Sequence, residues 1–130
     1  MKSNFELFSN IEDKKRIYRI DTSETAIKLN DIKGKELDIK EFIIKKITTL
    51  PKYDEDGKLV EDCLEKKITL LIDKEDKVYA TGSKFFASKL EEMVNYFGIE
   101  EFTKEGFRIK IVEKNLAKSK NKALSFELLD

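Results

Sequence analysis

Histidine and tryptophan are missing from this 130-residue chain, and cysteine and proline occur once each. Without histidine, the commonest general base and the commonest zinc ligand are gone. Cys63 alone builds neither an intrachain disulfide nor a thiolate metal site, which fits a reducing compartment. The five glycines, at 34, 57, 82, 98 and 106, are scattered, so there is no Gly-rich phosphate cradle. "DEDG" at 54–57 resembles the opening of a calcium loop but lacks the third acidic position, and reads as a charged turn. No apolar run has the length of a signal peptide core or a membrane span. Charge of one sign is not in excess either: 26 basic residues face 26 acidic ones. A histone-like cationic binder is therefore excluded, and any anionic ligand must be held by locally segregated charge. These absences predict a non-enzymatic cytoplasmic domain without cofactor or metal.

What is present is a highly charged chain with enough apolar residues for one core: 40% are hydrophobic and 40% charged. Residues 1–26 read as an N-terminal arm, with "KKRIYRI" (14–20) as a short strand. Residues 27–130 read as one folded domain. "DTSETAIKLNDI" predicts a turn and a short helical stretch leading to Gly34. In "KELDIKEFIIKKITTL" (35–50), Leu37 and Ile39 alternate with polar residues, and Phe42 and Ile44 then continue on the opposite parity. Such a phase slip predicts one long strand with a bulge. A polar connection centred on Asp56-Gly57 follows Pro51. "CLEKKITLLID" (63–73) is the second strand, with Leu64, Ile68, Leu70 and Ile72 on one face. "VYATGS" (78–83) is the third, with Val78 and Ala80 inward and Tyr79 and Thr81 outward. Residues 83–98 form a helix with Phe86, Leu90, Met93, Val94 and Phe97 as its apolar stripe, Ser83 as N-cap and Gly98 as its end. "FRIKIVEK" (107–114) and "ALSFELL" (123–129) complete a terminal hairpin.

Three strands, a helix and two strands, with the first strand long and kinked, is the order of a mainly β, five-stranded OB-fold barrel with one helix between strands three and four. Such barrels bind oligonucleotides on strands two and three, between the loops joining strands one to two and four to five. The second of these loops is the exception to charge balance: Lys114, Lys118, Lys120 and Lys122 stand there with no acid before Glu127. Ammonium groups on a flexible tip suit an irregular phosphate backbone. Lys67 and Lys110 would extend this basic surface along the strands. Unpaired bases stack on aromatic rings, and the candidates are Tyr79, beside Lys67; Tyr53, on the first loop; and Phe85, next to Lys84. Each has a plainer reading, as a solvated hairpin tip, a cross-strand partner, a loop residue or a core aromatic.

"IKLNDIKGKELDIKEFIIKKI" (27–47), "VYATGSKFFASKLEEMVNYFG" (78–98) and the closing "KNLAKSKNKALSFELL" together resemble the small single-stranded DNA-binding proteins of tailed phages of low-GC Gram-positive bacteria. The likeness lies in Leu29 to Gly34, Tyr79 to Lys84, and Lys118 to Leu128, and spans about residues 27–129. It implies an OB-fold that coats single-stranded replication intermediates without sequence preference. It further implies strand contact by Tyr79, Lys84 and the lysines at 118, 120 and 122. Single-stranded DNA is then the expected partner, with replication proteins and further copies of the chain as candidates. The N-terminal arm (Phe5, Leu7, Phe8, Ile11) would dock on a neighbouring copy. The rival expectation is an OB-fold protein-interaction or adaptor module that carries no nucleic acid. The two differ in charge segregation, because a binder needs Lys67, Lys110 and the 114–122 lysines on one continuous surface.

Overall fold

The long kinked strand organises the molecule. In the computed structural model, which describes residues 4–115 and 122–129, β3 runs Glu36–Thr48. Its register against the neighbouring strand slips between Ile39 and Glu41. The slip lets Leu37 and Ile39 face the same interior as Phe42 and Ile44, as the sequence phase predicts. The freed backbone at this bulge is not left bare. The Asn10 side chain donates to the Lys40 carbonyl and accepts from the Phe42 amide, both at 2.9 Å, and Ser9 Oγ donates to the Phe42 carbonyl at 2.6 Å.

Nine strands are assigned among the described residues, not five. β6 (Glu65–Asp73) pairs antiparallel with β3, and β7 (Val78–Thr81) with β6. On the other side, β8 (Phe107–Asn115) pairs with the start of β3, and β9 (Lys122–Leu128) pairs with β8. The four extra strands are β1 (Asn4–Ser9), paired to the end of β3; β2 (Ile27–Lys28), parallel to β7; and the separate two-stranded hairpin β4 (Lys52–Tyr53) and β5 (Leu59–Glu61). The main sheet is therefore ordered β2-β7-β6-β3-β8-β9 and curls into a half-barrel. No ladder joins β7 to β9 among the described residues. Helix α2 (Lys84–Phe97) packs against both β6 and β9.

Helix α2 starts where Ser83 Oγ accepts from the Phe86 amide and ends at Gly98, whose φ of 93° favours glycine. Its stripe of Phe86, Leu90, Met93 and Val94 is buried against Leu71, Ile111 and Phe126 in the main core. After Gly98 comes a third helix, α3 (Ile99–Glu105), which sends Phe102 into the core against Phe42.

"KKRIYRI" is not a strand. It is helix α1 (Lys14–Asp21), capped by Asp13, whose carboxylate accepts from the amides of Lys15 and Arg16. Ile17 and Ile20, three apart, face the sheet, and this spacing with an Asp cap is the helix signal in the sequence. There α1 builds a second core: Ile11 and Ile17 bury Ile43, Leu70 and Ile72, with Ile20, Val78 and Ala80 at the rim. Strands β3 and β6 are thus covered on both faces, which explains the unbroken buried run Thr69–Asp73 in β6. The face of Leu70, Ile72, Val78 and Ala80 lies under α1, while Thr69, Leu71, Tyr79 and Thr81 point to the main core on the other side of the sheet. This is the reverse of the facing expected from alternation.

Candidate nucleic-acid interface

Tyr79 is no stacking platform. It is 2% exposed in the main core, and its hydroxyl donates to Asp73 Oδ2 at 2.9 Å. Burial first, and then this carboxylate, push its phenol up to about 12. Alternation alone could not tell which face of β7 is interior, because both faces of the sheet are covered.

Lys67 is also turned from its expected place. It shares the inner face with Thr69 and Leu71, and its Nζ meets Glu91 of α2 at 3.5 Å. It lines a cleft of about 280 Å³ with Glu6, Phe8, Lys46 and Asn95, in which Glu6 and Glu91 balance the two lysines. Lys110 lies on the opposite face of the sheet, half-buried on β8 and paired in register between Glu36 and Glu127. Lys67 and Lys110 therefore do not join one basic surface.

Lys114 and Lys122 are exposed near the ends of β8 and β9, while Lys118 and Lys120 lie outside the described residues. One further lysine belongs to this neighbourhood and was not singled out by sequence. Lys89 of α2 donates to Ser125 Oγ at 3.1 Å and to the Phe126 carbonyl, and its ammonium sits 4.9 Å from the Phe126 ring centroid. Burial and then repulsion from Lys114 hold Lys89 below the usual lysine range. Phe85, one turn earlier on α2, is 37% exposed and follows the exposed Lys84. Lys89 thus sets a cation against β9, and Phe85 is an accessible ring on the same helix.

Tyr53 is exposed on β4, but its surroundings are acidic. Between Pro51 and Asp62, Lys52 and Lys58 face Asp54, Glu55, Asp56, Glu61 and Asp62. Every residue from 52 to 66 is exposed, and Leu50, Leu59, Val60 and Leu64 add apolar surface. Phosphate would be repelled from this arm rather than drawn to it. Asp54 shapes its turn, accepting from the amides of Asp56 and Lys58 at 2.9 Å each.

Among the described residues no group of three or more His, Cys, Asp or Glu side chains is placed to hold a metal ion, and no helix is long and apolar enough to cross a membrane. Comparison with protein-family models, curated proteins and solved structures finds no match to this chain.

Proposed function

We propose that this chain is an OB-type domain that binds single-stranded nucleic acid, holding phosphates with the lysines of its terminal hairpin. One observation carries the reading: β7-β6-β3-β8-β9, with α2 between β7 and β8, is the strand order and helix position of an OB-fold. In that arrangement the β8–β9 loop is a ligand loop: residues 116–121 carry Lys118 and Lys120 and no acid, between Lys114 and Lys122 on the two strands. Lys114 and Lys122 at its base, with Lys84 and Phe85 on α2, supply the chemistry of a single-strand contact. The proposed contact set omits Tyr79 and Lys67, which serve the core and an internal ion pair, and Tyr53, which stands on an acidic arm.

A protein-interaction module is the second reading, and a specific observation favours it. The outer face of β6 and β7, where an OB-fold typically receives its ligand, is occupied by α1. Fluorescence anisotropy of a labelled oligo-dT of roughly thirty bases, against a duplex of equal length over a salt series, separates the two. Single-strand preference with a steep salt slope is the expected result. Lys114, Lys118, Lys120 and Lys122→Gln together should lower the slope by up to about 3, at roughly 0.7 per phosphate released. Flat titrations for both ligands at low salt would leave the protein-interaction reading.

A further inference from the structure

The helix that covers the OB ligand face carries ligand chemistry of its own. Around α1, Arg16, Ile17 and Ile20 turn to the sheet, where Arg16 forms a two-pronged pair with Glu41. The opposite side presents Lys14, Lys15, Tyr18 and Arg19. Positions 14 and 18, and 15 and 19, are each one helical turn apart, so the four side chains form one continuous patch. Tyr18 is 68% exposed, and the other three are exposed too. Together these four line a shallow depression of about 410 Å³. None of the three cations makes an ion pair among the described residues. The nearest acids in sequence are engaged or outside the patch: Asp13 caps the helix, Asp21 binds Lys45 at 2.8 Å, and Glu12 precedes the cap.

We infer that this outward face of α1 is a second contact surface for single-stranded nucleic acid. Lys14, Lys15 and Arg19 hold successive phosphates and Tyr18 stacks an unpaired base. The inference rests on the single-strand reading proposed above. It resolves the objection to that reading, since α1 does not merely block the outer face of β6 and β7 but replaces it with a cationic surface bearing an accessible ring. Three ammonium or guanidinium groups around one exposed aromatic fit an unpaired strand. A duplex offers the phosphates but hides the faces of its bases. The helix is held rigidly enough for this, being anchored by Ile17, by the Arg16–Glu41 pair and by Asp21 on Lys45.

The test uses the full chain and the same oligo-dT. Tyr18→Ala should weaken binding roughly five- to 150-fold with little change in salt slope, because a stacked ring releases no counterions. Lys14, Lys15 and Arg19→Gln together should reduce the slope by about 2. All four positions are exposed, so thermal unfolding of both variants should overlay the wild type, showing that any loss is one of contact. If both variants bind like the wild type while the four-lysine hairpin variant does not, the α1 surface is wrong and the single-strand reading stands. If the wild type binds neither strand form, both fall. Equal weakening for single strand and duplex in Tyr18→Ala would also overturn the stacking role.

Discussion

A single carboxylate, Asp73, holds the β6–β7 turn together from its end. Its Oδ1 accepts from the amides of Glu75 and Lys77, at 2.9 Å each, and its Oδ2 accepts from the Tyr79 hydroxyl. The residue is 8% exposed, so the loss of one donor is not readily made good by solvent. Tyr79→Phe should therefore destabilise the protein by about 2 kcal/mol in urea unfolding at neutral pH, the range for hydrogen bonds to a charged acceptor. It should leave oligo-dT affinity unchanged. The pH dependence has a definite sign. The folded phenol titrates at about 12, above its ordinary 10.0, so its contribution is complete below pH 10. Between pH 10 and 12 the unfolded chain releases a proton that the folded one retains. The advantage of wild type over Tyr79→Phe then shrinks by up to about 1.4 kcal/mol per pH unit. An advantage that stayed constant across that window would mean that the folded phenol is not shifted. Loss of oligo-dT binding in a well-folded Tyr79→Phe would return this residue to the interface.

At the scale of elements, the N-terminal segment is part of the main sheet. β1 lies along the end of β3, and Asn10, just after it, satisfies the two backbone groups that the bulge frees. Asn10→Ala should cost about 1–3 kcal/mol, because a half-buried amide and carbonyl lose their partner. Asn10→Asp should recover part of this, since it still accepts from the Phe42 amide but no longer donates to Lys40. Equal losses in the two variants would put the effect elsewhere than in this pair of bonds. The bulge itself was legible in the sequence, as the change of parity from Leu37 and Ile39 to Phe42 and Ile44. So were α2 with its cap and the closing hairpin, because each has one buried face and one wet face. What alternation could not convey is a sheet covered twice. Once α1 buries Ile43, Leu70 and Ile72, the run "ITLLID" has no polar side to mark the exterior, and the inward and outward assignments of β6 and β7 invert. The candidate site suffered from the same blindness. Parity puts Tyr79 and Lys67 outside, and a strand reading of residues 14–20 hides Tyr18 and its cations.

For the molecule as a whole, a formal net charge of zero hides a strong partition. The terminal hairpin and the outer side of α1 are cationic, and the β4–β5 arm is acidic. A polyanion approaching such a domain is attracted by two regions and repelled by a third, all weakened by salt within about 10 Å at 0.1 M. The arm is also mechanically separable. Its residues are exposed, and its base is closed by Thr49 and Leu64, with the Thr49 amide 2.8 Å from the Leu64 carbonyl and the Leu64 amide 2.9 Å from Thr49 Oγ1. Replacing residues 52–61 by a short Asn-Gly turn should thus change unfolding stability by no more than about 1 kcal/mol, as expected for shortening an exposed loop. The substitution removes Asp54, Glu55, Asp56 and Glu61 along with Lys52 and Lys58, so the repulsive region loses net negative charge. Oligo-dT affinity should rise, on the order of two- to tenfold at low salt, and converge with wild type as salt screens the difference. A fall of more than about tenfold at every salt concentration would instead make the arm, with Tyr53, part of the contact through stacking. Its acidity would then be a cost outweighed by that ring.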